Sequence, residues 1–277
     1  MNSMTWVPES VPISLPDREV HVWQVDLDFD RACLPSLEEL LSRDELARAS
    51  RLYFESDRRR HIAGRAALRG ILGHYLRTPA AALSFRYNDF GKPALDCDTD
   101  LFFNLSHSGS VALIAMTRGI PIGVDVEFMR LDVDFTGIAA RFFSDSENAV
   151  LLSLPLQQRC RCFFDCWTRK EAYIKALGEG LSIPLDRFDV SNAPGEPARL
   201  IVDRADPLMS QRWTIRELPV RDGHVAAVAV EATAISWRLF DWSSEPIENQ
   251  LKCRRAVSGT NLNLVRAVHD PIFERTC

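Results

Sequence analysis

The sequence predicts an α+β protein built from two similar halves that meet near residue 119. Two observations carry that expectation. Short stretches of β-type alternation are interleaved with blocks of helical pattern from residue 20 to residue 230. Four segments also echo each other in the same order. "VDLDF" (25–29) returns as "VDVEF" (124–128), and "FESDRRRHIAGRA" (54–66) as "FFDCWTRKEAYIKA" (163–176). "FRYNDFGKPAL" (85–95) returns as "FDVSNAPGEPARL" (188–200), and "SGSVALIA" (108–115) as "DGHVAAVA" (222–229). With 277 residues there is room for one large domain or two modest ones. The expected division is 1–119, 120–235 and a loosely structured tail, 236–277, which is polar, weakly patterned and without a counterpart.

The elements follow in order. "VHVWQVDLDF" (20–29) alternates as a strand does. Ser36-x-x-Glu39 and Ser42-x-x-Glu45 have the form of capping boxes and open short helices. A longer helix spans about 57–77 and stops at Thr78-Pro79. Strands are expected at 83–87, 101–105, 110–117 and 121–127, with turns at Gly91-Lys92-Pro93, Ser108-Gly109 and Arg118-Gly119. Residues 134–143 read as a helix, Ser144-x-x-Glu147 caps another, and 157–177 is helical up to Gly178. Strands near 186–190, 198–203, 212–218 and 224–230 complete the second half.

Composition excludes several classes. A net charge of −5 argues against a dedicated nucleic-acid binder. No apolar run approaches the roughly 20 residues of a membrane helix, and the first twenty residues lack the regions of a signal peptide. Seven cysteines form no disulfide-framework spacing and no C-x-x-C pair, which reads as buried thiols in a reducing cytoplasm.

The chemistry-bearing residues lie in five stretches. In "IGVDVE" (122–127), Asp125 and Glu127 alternate with valines, so both carboxylates share one strand face and repel each other unless a positive group lies between them. In "WTRKEAYIKALGEG", Glu171 and Lys175 are i, i+4 on one helix face; alone, they read as a surface ion pair. "FNLSHSG" (103–109) ends a strand in Ser106, His107 and a turn suited to an anion, or is simply a hairpin. Lys92 in "FGKPAL" sits at a loop tip, and Arg58, Arg59 and Arg60 form a basic run at a helix start; in isolation both read as solvated surface. Taken together, carboxylates without clustered His or Cys favour a hard cation, Mg²⁺ over Zn²⁺. Separate basic groups (Arg60, Lys92, His107, Lys175) suit a ligand with more than one phosphate, held without a Walker or G-x-G-x-x-G loop.

In that order and spacing, "FGKPAL", "FNLSHSG", "IGVDVE", "RFFSDSE" and "WTRKEAYIKALGEGL" closely resemble the Sfp-type 4′-phosphopantetheinyl transferases over about residues 40–230. The resemblance implies a pseudo-dimer of two α+β halves with one site at their interface. It implies an enzyme that moves the phosphopantetheine arm of coenzyme A to a serine of a carrier protein and releases 3′,5′-ADP. Asp125, Glu127 and Glu171 then match the Mg²⁺ ligands. Lys175, Lys92, Ser106 and His107 match phosphate contacts, and Arg60, Arg43 and Arg48 match the nucleotide and 3′-phosphate end. Glu171 is also the candidate general base. The alternatives are a Mg²⁺-dependent phosphohydrolase of coenzyme A-like diphosphates and a coenzyme A-binding module without catalysis. Fatty-acid, polyketide and nonribosomal-peptide carriers are all candidate partners of a cytoplasmic monomer, with no nucleic-acid or membrane partner. After the metal strand, Phe128, Met129, Phe135 and Ile138 read either as core or, in part, as an apolar contact to the carrier, with Arg130 meeting its acidic side chains. The duplication makes Asp26 and Asp28 pseudo-equivalents of Asp125 and Glu127. His61 replaces Glu171, Glu196 replaces Lys92 and Arg221 replaces His107, so one site per chain is expected.

Overall fold

The computed structural model describes residues 6–8 and 14–242. The first half runs β1 (Trp6–Pro8), β2 (Glu19–Asp26), α1 (Leu34–Glu38), α2 (Arg43–Ser50), α3 (Glu55–Leu76), β3 (Phe85–Tyr87), β4 (Pro93–Leu95), β5 (Leu101–Ser108) and β6 (Val111–Arg118). The second runs β7 (Ile122–Phe128), α4 (Phe135–Phe142), α5 (Asp145–Ser153), α6 (Leu156–Leu177), β8 (Phe188–Val190), β9 (Leu200–Asp203), α7 (Met209–Arg212), β10 (Thr214–Glu217) and β11 (His224–Val230), followed by β12 (Ser236–Trp242).

Alternation along the strands builds three layers of core. In the five-stranded sheet, ordered β1-β12-β2-β6-β5, Trp23, Val25, Ala112 and Ile114 face α3 and pack with Ile62, Ala66 and Ala67. In the three-stranded sheet, ordered β10-β11-β7, Val225, Ala227 and Ala229 pack with Ala172, Ile174 and Ala176 of α6. The opposite faces meet: Val20, Val22, Leu113 and Ala115 pack with Val124, Val126, Ala226 and Val228. The mixed α+β architecture with a helix on each sheet agrees with the expected fold.

Each half carries the same internal joint. Ser42 and Ser144 cap α2 and α5 with complete capping boxes, completed by Glu45 and Glu147. Glu45 accepts from Arg65 and, at 2.6 Å, from Arg69 Nε; Arg69 also donates to the carbonyls of Ala80 and Leu83. Glu147 pairs with Lys170 at 2.8 Å, and Lys170 also donates to the carbonyls of Leu185 and Phe188. These buried charges are tolerated because every one is paired and hydrogen-bonded.

Three expectations change. Residues 236–242 are not a loose tail: β12 pairs in parallel with β2 along its length and buries Leu239, Phe240 and Trp242. The remainder of that expected tail, 243–277, lies outside the described residues. Ser36 caps nothing, because α1 already begins at Leu34 after Cys33. The echo between "VDLDF" and "VDVEF" is out of register. Val25 stands opposite Ala112 and Leu27 N donates to Ser110 O, just as Glu127 stands opposite Val225 and Met129 N donates to Gly223 O. The structural counterparts of Asp125 and Glu127 are therefore Trp23 and Val25, not Asp26 and Asp28.

Candidate active site at the junction of the halves

The site is built where β7, the edge strand of the small sheet, meets β5, the edge strand of the large one. Gly123 sets its geometry. A Cβ there would lie 2.1 Å from the carbonyl oxygen of Ala172 and 2.4 Å from the nitrogen of Ala176. Only glycine lets α6 approach β7 this closely, and the approach brings Glu171 and Lys175 over the face that carries Asp125 and Glu127. Lys175 Nζ lies 2.6 Å from Asp125 Oδ1 and 3.2 Å from Ser106 Oγ.

Asp125 is buried, and its Oδ2 has no partner. Ser106 Oγ donates to Asp125 Oδ1 at 2.9 Å, and Ser108 Oγ donates to Glu127 Oε2 at 2.9 Å. Burial first, and then the charge of Asp125, raise the pKa of Glu127. Burial also raises Glu171 to about 7, with Lys175 opposing and Asp125 and Glu127 adding to the rise. The three carboxylates thus sense one another. Among the described residues, however, no group of three His, Cys, Asp or Glu side chains is drawn together tightly enough to hold a metal. Lys175 occupies the Asp125 side of the cluster in this conformation.

His107 lies on the other face of β5, toward α3. The residue is exposed as a whole, yet burial lowers the pKa of its ring, helped by the charges of Lys175 and Arg60 and opposed by Asp57 and Asp125. Arg60 is held by Asp28, with Nε 3.0 Å from Oδ1. Arg48 is exposed and lies over the Tyr87 ring, 4.5 Å from its centroid; Arg43 is exposed at the start of α2. The start of α3 therefore lies near His107, and Arg43 and Arg48 both sit on α2, which is tied to α3 through Glu45.

Two expectations need correction here. Lys92 is not a free phosphate donor. Its Nζ donates to the carbonyls of Lys175 and Ala176 at the C-terminus of α6 and to that of Ile122 at the start of β7. Burial lowers its pKa to about 8. Lys92 and Asn88, whose Nδ2 donates to Gly178 O at 2.7 Å, tie the β3–β4 turn to the helix that carries Glu171. In addition, Met129, Phe135 and Ile138 pack against the α6 core; of the expected docking residues, Phe128 and Arg130 remain exposed, beside Leu131.

Sequence reasoning missed His61 and the serine hydroxyls as supports. His61, on α3, has a buried Nε2 without a partner, and its pKa is lowered to about 4 by burial, Arg65 and His107. The signal for the serines was present in "FNLSHS": Asn104, Ser106 and Ser108 alternate on one strand face.

An acidic cluster on the second half faces basic groups from the first across the interface. This arrangement suits a phosphorylated ligand. Residues 121–229 match the 4′-phosphopantetheinyl transferase superfamily, and residues 31–118 match the N-terminal region of 4′-phosphopantetheinyl transferases. The chain belongs to this family, whose members use coenzyme A as a substrate and act on carrier proteins. It is 41% identical over 241 residues to the 4′-phosphopantetheinyl transferase HetI of Nostoc sp., covering 86% of this chain and 98% of that one. It is 32% identical over 151 residues to the 4′-phosphopantetheinyl transferase Sfp of Bacillus subtilis, covering 54% of this chain and 66% of Sfp. No helix of the described residues is long and apolar enough to cross a membrane.

Proposed function

We propose that this chain transfers the 4′-phosphopantetheine arm of coenzyme A to a serine hydroxyl of a carrier protein, with Asp125, Glu127 and Glu171 holding Mg²⁺ during the reaction. The observation that carries this reading is the unpartnered, buried Asp125 Oδ2 beside two carboxylates whose pKa values are raised first by burial and then by the neighbouring carboxylate charges. An all-oxygen donor set of this kind suits a hard cation. Bound there, Mg²⁺ would neutralise charge on the diphosphate.

The chain's own residues supply the rest. Lys175, at the edge of the acids, offers a positive charge to a phosphate oxygen. His107 and Arg60 form the opposite wall and orient the diphosphate and nucleotide. Arg48 and Arg43, both on α2, are assigned to the 3′-phosphate. Ser106 acts through Asp125 and Lys175. Glu171 takes the proton of the carrier serine; the serine oxygen bonds to the β-phosphorus as the bond to the bridging oxygen breaks, and 3′,5′-ADP leaves. Carrier docking is assigned to the exposed stretch Phe128, Arg130 and Leu131 next to Glu127. The enzyme works as a cytoplasmic monomer composed of halves 1–119 and 120–235, the first completed by β12. It serves fatty-acid, polyketide or nonribosomal-peptide carriers.

Mass spectrometry of a carrier protein incubated with coenzyme A and Mg²⁺ tests the reading. The carrier should gain the arm with the native chain and not with Asp125→Ala, while Glu171→Gln should slow transfer more than it weakens coenzyme A binding. Release of free phosphopantetheine would indicate a phosphohydrolase, and binding without either product would indicate a coenzyme A-binding module. Each result would overturn the proposal.

A further inference from the structure

β7 uses one edge to pair with β11. Its other edge faces β5, but no backbone ladder joins them. Side chains take its place. Val124 N donates to Asn104 Oδ1 at 2.8 Å, Val126 N to Ser106 Oγ at 3.4 Å, and Phe128 N to Ser108 Oγ at 3.0 Å. Successive rungs are two residues apart on both strands, so the two strands climb in step.

The ladder does more than satisfy backbone donors. A serine hydroxyl accepts through its lone pairs and donates one hydrogen. Ser106 and Ser108 accept from β7 amides and donate to carboxylates of the same strand, Asp125 Oδ1 and Glu127 Oε2. One oxygen of each acid is thereby fixed. Asp125 Oδ2 remains buried without a partner, and Glu127 Oε1 accepts no hydrogen bond from a described residue. Asn104, without a neighbouring acid to contact, only anchors the start of the ladder.

We propose that Ser108, with Ser106 and Asn104, forms a positioning ladder: by taking up one oxygen of each acid it aims the other oxygen of Asp125 and Glu127 into the site and so sets the affinity for the cation. This rests on the reading that these acids hold Mg²⁺. Ser108 is the rung that tests it, because its hydroxyl contacts only Phe128 N and Glu127 among the described side chains and main chain. The free rotation that Ser108→Ala grants the Glu127 carboxylate should weaken binding by about tenfold, the effect of one hydrogen bond to a charged group.

The experiment is a calorimetric titration of Mg²⁺ into the full chain saturated with coenzyme A, alongside thermal melts. The native chain should bind one ion, Asp125→Ala should bind none, and Ser108→Ala should bind about tenfold more weakly. Ser108→Thr, which keeps the hydroxyl, should bind within about twofold of the native chain. If Ser108→Ala melts too low to titrate, Ser108→Thr compared with Ser108→Val, nearly equal in size, isolates the hydroxyl. Native-like affinity in Ser108→Ala, or equal weakening in Ser108→Thr and Ser108→Val, would overturn the ladder while leaving the metal reading intact. Failure of the native chain to bind Mg²⁺, or full binding by Asp125→Ala, would instead overturn the underlying reading, and the ladder with it.

Discussion

His61 shows how much a single residue's meaning depends on what packs around it. In the sequence it follows three arginines and reads only as the counterpart of Glu171; in the fold its Nε2 is buried without a partner, and burial with Arg65 and His107 lowers its pKa to about 4. Its ordinary value is near 6.5, so between pH 6.5 and 4 the unfolded chain binds a proton that the folded chain refuses. The corresponding contribution to stability is complete above pH 6.5 and falls as the pH drops toward 4, by about 3 kcal/mol in total. Burial also lowers the pKa of His21 and His107, so they add loss in the same direction. His61→Gln should therefore narrow the gap between urea midpoints measured at pH 7 and pH 5 without closing it. An unchanged gap would mean that the ring already accepts a proton in the folded state. Lys92 carries the same lesson. A lysine in a Gly-Pro turn reads as a solvated cation, because the three carbonyls that receive it come from residues at least 30 positions away.

At the scale of elements, much was legible and the rest was not, for physical reasons. The pair of acids in "IGVDVE" and the i, i+4 pair Glu171 and Lys175 were readable because strand and helix periods place side chains without reference to tertiary structure. Both true capping boxes were readable for the same reason. The register of the repeat was not. A slip by an odd number of residues turns a strand's inward face outward, and the echo differs from the observed register by three residues, from Val124 to Glu127 opposite the same partner position. Matching letters therefore paired residues from opposite faces. Gly123 lies between these cases: its presence is plain in the sequence, but its purpose appears only when α6 crosses it. Gly123→Ala should push α6 off β7, costing about 3 kcal/mol by overpacking, and displace Glu171 and Lys175 from Asp125. The melt should fall, and the transfer rate should fall further at temperatures where the variant is still fully folded. A native melt with a native rate would show that the helix can yield without effect.

Across the whole molecule, two similar scaffolds differ where the proposed site lies. α3 and α6 each have 22 residues and end at a left-handed residue, Arg77 and Gly178, with the buried cations Arg69 and Lys170 at matching positions. Glu171 then corresponds to Gly70 and Lys175 to His74, while Asp125 and Glu127 correspond to Trp23 and Val25. The first half thus fills its version of the acidic cluster with core: Trp23 and Val25 are at most 2% exposed and pack under α3. Its strand edge is also closed. Where β7 meets the side chains of β5, β2 is covered by the full backbone pairing of β12, which leaves no gap for a ligand. Asp26 points away from α3 and is held at 2.7 Å by Arg221. A titration of coenzyme A with Mg²⁺ present should accordingly give one equivalent per chain. Asp26→Asn should keep the transfer rate within about twofold, as surface substitutions remote from a site do. Two equivalents, or a large loss of rate in Asp26→Asn with an unchanged melt, would mean that the first half retains a working site that its Trp23 and Val25 should have closed.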